Sequence, residues 1–133
     1  MPQGSSLEVE LNQTLDKLTK ANKYVYITDD VPKFSFNPKK CKYADTIFNE
    51  DSCEESSRYF YRKHQDYISI LESVVKNRTN VKLLKTSQYF CDDKNCNMAK
   101  DGILLYRDRT HLSINGSKYV AQRITTENPE IAD

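Results

Sequence analysis

The sequence predicts an α/β fold in which two or three short parallel strands lie among flanking helices. Three observations lead there. Apolar residues recur at helical spacing in three stretches, near the start, the middle and the end of the chain. Between these stand three short apolar or β-branched runs, "YVYIT", "VKLL" and "ILLY". The two patterns alternate, the order that layers helices on a parallel sheet. Two good strands are few for such a sheet, which buries both faces and usually holds about five or six. The architecture reads as incomplete.

The elements follow in order. Leu7, Leu11, Leu15 and Leu18 form one stripe of an amphipathic helix, with Ser5 or Ser6 as its N-cap. Tyr24 to Thr28 reads as a short buried strand, and Pro32 shows that the chain has left it. Residues 31–55 are loop-like. A second helix is expected from Ser56 or Ser57 to Lys76. Its apolar face is Phe60, Tyr67, Ile68, Leu71, Val74 and Val75, with Arg58, Arg62, Lys63 and Glu72 off it. "NVKLLKT" is a second strand, residues 87–101 a cysteine loop, and "ILLY" a third apolar run after Gly102. The last helix spans Ser113 to Ile124. Its inner face is Gly116, Val120 and Ile124, with Ala121 beside them, and the tail "TTENPEIAD" should fray.

With 133 residues the chain is one domain, and 38% apolar content supports only a thin core. A mean hydropathy of −0.76 agrees. The net charge of +1 argues against nucleic acid or an anionic membrane as partner, since both need a large positive footprint. Lys39, Lys40 and Lys42 read as a solvated loop. No run is long enough to span a membrane, and "MPQGSSLEVELNQTL" has neither the basic nor the apolar region of a signal peptide. Sequons at Asn12, Asn77 and Asn115 are short enough to arise by chance.

Cys41, Cys53, Cys91 and Cys96 do not fall at zinc-ligand spacing, and the two histidines add nothing at the right offset. Each sits in a polar stretch, unlike a buried free thiol. They read as two local disulfides and hence an oxidising compartment. Three connectivities are possible; nearest neighbours give Cys41–Cys53 and Cys91–Cys96. A chain that forms disulfides without an export signal suggests a piece of something larger.

The chemistry concentrates in "LLYRDRTHLSINGSKYVAQRI", which sets Asp108 and His111 three residues apart where an apolar run gives way to a helix. A histidine acting as general base needs a carboxylate to hold its tautomer and stabilise its imidazolium. On a tight loop Asp108 reaches one ring nitrogen, and the other faces a hydroxyl. Such a loop lies at the carboxyl edge of an open sheet, where α/β folds keep their sites. Ser113 caps the following helix, and Gly116 lets that helix approach its neighbour. The bland alternative is two surface residues in a turn. His64 reads as packing at the core edge of the second helix.

"DGILLYRDRTHLSINGSKYVAQRI" resembles the last block of the SGNH hydrolase superfamily, where Asp-x-x-His supplies the acid and base of a Ser-His-Asp triad. More narrowly, the chain is similar to the SGNH domain fused to membrane acyltransferase-3 proteins, which O-acetylate cell-envelope polysaccharides. "VYITDDVPKFSFNPKKC", "DSCEESSRYFYRKHQDY" and "YFCDDKNCNM" point to that subgroup. The resemblance covers about residues 8–124. It implies part of a flavodoxin-like, three-layer α/β/α domain occupying 1–133, with 1–5 and 125–133 frayed. It matches Asp108 and His111 to the catalytic pair and implies no metal or diffusible cofactor.

The family's nucleophile lies in a Gly-Asp-Ser block, and its oxyanion donors are a glycine and an asparagine from later blocks. None of Gly4, Gly102 and Gly116 precedes Asp-Ser. The expectation is therefore the C-terminal portion of a periplasmic SGNH domain, holding the base and its orienter but not the serine, and inactive alone. Its partners in the intact parent would be the missing N-terminal segment, the acyltransferase-3 membrane domain, and envelope polysaccharide or an acylated sugar. One alternative is a non-catalytic module binding glycan or the acyltransferase domain. Another is a free-standing esterase using Ser35 or Ser87.

Overall fold

A computed structural model describes residues 3–43, 47–48 and 53–132. In chain order the elements are helix α1 (Gln3–Lys20), strand β1 (Val25–Thr28), strands β2 (Lys42–Tyr43), β3 (Ile47–Phe48) and β4 (Glu54–Ser56), and helix α2 (Ser57–Val75). Then come β5 (Val81–Leu84), β6 (Asn95–Asn97), β7 (Ala99–Lys100), β8 (Ile103–Leu104) and helix α3 (Ile114–Glu127). Short 3-10 turns cover Pro38–Cys41, Thr86–Tyr89 and Pro129–Ala132. Contacts gather these into two compact units, residues 1–29 with 62–85 and residues 30–61 with 86–133.

The first unit is the α/β part. β1 and β5 pair in parallel, Val25 opposite Val81 through Thr28 opposite Leu84. Leu15, Val74 and Val81 form the core, with Leu11, Val25, Ile27 and Ile70 against it, so the leucine stripe of α1 and the apolar face of α2 do face inward. Serines 5 and 6 do not cap α1, because the helix begins by Gln3 and contains both. Its other end closes with Asn22 in the left-handed region (φ 58°) while Lys23 N donates to Leu18 O. A polar staple completes the unit. Arg78 pairs with Asp16 at 2.9 Å and donates to Asn12 Oδ1 and Val74 O.

The second unit is built of two-stranded antiparallel pieces and α3. β2 pairs with β3, β4 with β6, and β7 with β8. The "ILLY" run is thus no third parallel strand. Asp101 (φ 52°) and Gly102 (φ 79°) make a two-residue turn that folds Ile103 back onto Lys100. Asp-Gly is the pair that tolerates two positive φ angles and favours such hairpins. The core here is aromatic and sulfur-rich. Phe34 and Phe90 pack edge-on against Tyr106 at 4.9 and 5.5 Å between ring centres. Disulfides join Cys41 to Cys53 and Cys91 to Cys96, and Cys41, Cys53 and Cys96 are fully buried although their flanks are polar. Burial, and then the Asp30 charge, push the Tyr106 phenol well up, so its hydroxyl stays a donor, to Pro32 O at 2.6 Å.

α3 packs tightly at its start. A Cβ on Gly116 would stand 1.9 Å from Leu105 O, so only glycine fits there. Ala121, expected beside this face, is exposed. The helix runs to Glu127, and buried Asn128 donates its backbone N–H to Ile124 O. Helical structure continues where the sequence suggested a fraying tail.

Candidate active site

The segment between β8 and α3 is closed by main-chain bonds before any side chain acts. Tyr106 bridges Leu112, Arg107 N donates to His111 O at 2.9 Å, and Ser113 N donates to Leu105 O at 2.9 Å. Phe34 N donates to Arg109 O at 2.8 Å, tying the loop tip to the 30–36 segment. Ser113 caps α3, its Oγ accepting from Gly116 N at 3.1 Å and donating to Leu104 O. The loop therefore follows an antiparallel hairpin, not the end of a parallel strand. What fixes it is the hairpin and the cap.

Within this frame Asp108 folds the chain around its own carboxylate. Oδ1 accepts from Thr110 N at 2.8 Å and His111 N at 2.7 Å, the habit of an aspartate that starts a turn. The His111 ring then lies with Nδ1 3.0 Å from both carboxylate oxygens. The Thr110 backbone N–H first, and then the His111 backbone and ring, draw the Asp108 carboxyl down to about 2. Ionised, the carboxylate only accepts hydrogen bonds, so Nδ1 must carry the proton. Nε2, on the far side of the ring, is then the basic nitrogen. The His111 side chain is 61% exposed. The pair is preformed and open to a reactant.

Thr110 was not foreseen. Its hydroxyl lies 3.1 Å from His111 Nδ1 and 3.4 Å from Asp108 Oδ1. A threonine two residues after a turn-forming aspartate was the available signal. His64 is half-buried in α2. Of the two alternative serines, Ser35 Oγ donates to Glu55 Oε1, and Ser87 is buried. Lys39 and Lys40 are exposed, with Lys40 over the Phe36 ring, while the Lys42 side chain lies outside the described residues. Among the described residues no helix is long and apolar enough to cross a membrane.

The fold and the site together define an α/β domain with a carboxylate-backed histidine at the head of its last helix. The family model for the SGNH domain fused to AT3 (acyltransferase-3) domains matches residues 2–126, and the chain belongs to this family. Comparison with curated proteins and with solved structures gave no match.

Proposed function

We propose that this chain supplies the histidine and aspartate of a Ser-His-Asp site that moves an acyl group onto a sugar hydroxyl of a cell-envelope polysaccharide. The observation that carries this reading is the Asp108–His111 pair, with Nδ1 held at 3.0 Å and the ring edge exposed. In the first step His111 Nε2 takes the serine proton as its Oγ bonds to the acyl carbon, then gives that proton to the leaving group. In the second it takes the proton of the sugar hydroxyl as that oxygen attacks the acyl-serine, and returns it to serine Oγ. Asp108 keeps its charge and stabilises the imidazolium in both steps.

No Gly-Asp-Ser occurs in the sequence, so the reading assigns the serine and the oxyanion donors to a segment outside these 133 residues. It assigns the acyl supply to the acyltransferase-3 partner domain. The two disulfides favour an extracytoplasmic, periplasmic-type location. The test is hydrolysis of p-nitrophenyl acetate by the purified chain, alone and after adding a segment that carries Gly-Asp-Ser. The expected result is background turnover alone and activity with the segment, lost in His111→Ala. Activity of the chain alone that disappears in His111→Ala would mean that a nucleophile lies within it, and would overturn the division of the triad.

A further inference from the structure

The second unit holds a cavity of about 290 Å³, and neither Asp108 nor His111 lines it. That volume sits near the lower bound of about 300 Å³ for small-molecule sites, room for one ring and little more. One wall is the outer face of the β4–β6 ribbon. The register sets Glu54 opposite Asn97 and Ser56 opposite Asn95. Side chains alternate along a strand, so Glu54, Asn95 and Asn97 share one face while Cys96 turns into the core. The Glu54 carboxylate accepts from the Asn95 and Asn97 amides, each at 3.4 Å. Lys100, Arg123 and Tyr89 also line the cavity, and the Arg123 guanidinium lies 4.5 Å over the Tyr89 ring.

These groups are held in place. The Cys91–Cys96 disulfide closes the hairpin, and Asp92 Oδ1 accepts from Lys94 N and Asn95 N inside it. Asn97 Oδ1 accepts from Ala99 N at 2.8 Å, which fixes its amide. Arg123 is braced by Tyr119 Oη and Glu127. Prefixed donors and acceptors lower the ordering cost of binding.

The lining also selects. Glu54, Asp92, Lys100 and Arg123 all line the cavity, so an anion or a cation would meet repulsion as well as attraction. A hydroxyl both donates and accepts, and a ring with neighbouring hydroxyls satisfies carboxylate, amides and cations together. We infer that this cavity binds one neutral sugar ring of a glycan, with Glu54 accepting from its hydroxyls and Lys100 and the amides donating to them. The inference rests on the proposed acyl transfer only in taking the sugar for part of the acceptor chain.

The test is a titration of the whole chain, followed by ¹H–¹⁵N correlation spectra. The probes are methyl hexopyranosides and N-acetylglucosamine, with glucuronate and glucosamine as charged comparators. The neutral sugars should shift the Asn95 and Asn97 side-chain amides saturably. Glu54→Ala and Lys100→Ala, both at exposed positions, should each weaken binding about tenfold or more. Ser117→Ala, exposed and outside the cavity lining, should leave it unchanged. The inference is overturned by no saturable shift, by preference for a charged comparator, or by binding indifferent to Glu54→Ala. Sugar binding that depends on Glu54, in a domain that still fails to turn over when supplied with Gly-Asp-Ser, would leave this site standing and remove the catalytic reading alone.

Discussion

His111 meets the Asp108 carboxylate twice, through its backbone N–H at 2.7 Å and through ring Nδ1 at 3.0 Å. The spacing of three residues is what allows both. An aspartate carboxylate that caps the amides two and three residues on brings the third side chain over itself. The orienting group and the group it orients therefore share one turn, and the histidine is aimed without help from a distant element.

Replacing Asp108 by Asn separates the two contacts. The amide oxygen can still accept from the Thr110 and His111 N–H groups, so the turn should survive, losing only the part of its stability that depends on the carboxylate charge. The amide nitrogen now faces Nδ1, which favours the tautomer with its proton on Nε2. In the domain supplied with Gly-Asp-Ser, kcat should fall by roughly 10³ to 10⁴ with KM little changed. A loss of less than tenfold would show that the carboxylate does not set the tautomer.

The Asp108 carboxyl should titrate near pH 2 in the folded chain, below its value of about 3.9 when unfolded. A folded pKa that is depressed adds stability above the unfolded value. That stability is lost as pH falls from about 4 through about 2. A carboxyl-detected NMR titration should find the midpoint there, with the Thr110 and His111 amide signals moving alongside. A midpoint at 4 would mean that the turn is not formed in solution.

Gly116→Ala should destabilise by about 1 to 3 kcal/mol or more, because the added carbon would meet the Leu105 carbonyl at 1.9 Å and both partners are backbone. Ser117→Ala, one residue on and exposed, is the control and should stay within about 0.5 kcal/mol. Chemical denaturation of both variants decides it. Since Ser113 anchors to Leu104 and Leu105, the alanine should also disturb the His111 ring signals.

Each disulfide should contribute about 2 to 3 kcal/mol in the chain-entropy model, given separations of 12 and 5 residues. Cys41 and Cys53 lie within the second unit's core, so Cys41→Ala with Cys53→Ala should add a packing loss to the entropic one. The Cys91/Cys96 double alanine should cost less. Unfolding free energies from midpoint and m-value together, since losing a cross-link also expands the unfolded chain, would establish the order, and the reverse order would contradict it.

What the sequence revealed followed from periodicity and composition. The leucines of α1 and the Phe60-to-Val75 face repeat with the helical period and lie on α1 and α2 as that period puts them. β1 and β5 are legible in their apolar and β-branched content, but Tyr24, expected in the buried strand, stands exposed before it. The Asp-x-x-His turn was legible for a different reason: its chemistry is local. The β4–β6 ribbon was not legible. Glu54, Glu55 and Ser56 pair with Asn97, Cys96 and Asn95, and Cys96 is the sole apolar residue among these six, so neither strand carries an apolar run that periodicity could read. The Asp101–Gly102 hairpin was available as a turn signal but lay hidden behind the apolar run after it. Arg78 gave no signal, since its side-chain partners Asn12 and Asp16 are more than sixty residues away.

Among the described residues β1 and β5 form a sheet of two strands, so no third strand covers either outer edge. An exposed strand edge invites another strand to pair with it, and two strands alone make a marginal sheet. Tyr24, 57% exposed at the head of β1, adds apolar surface at that place. Sedimentation of the isolated chain across the micromolar-to-millimolar range should therefore show self-association that grows with concentration. Tyr24→Lys should weaken it, because a charge at a strand edge opposes pairing, while the far-ultraviolet spectrum stays unchanged. A chain that remains monomeric throughout would show that the edges are covered without a further strand. Association unaffected by Tyr24→Lys would place the contact elsewhere than at β1.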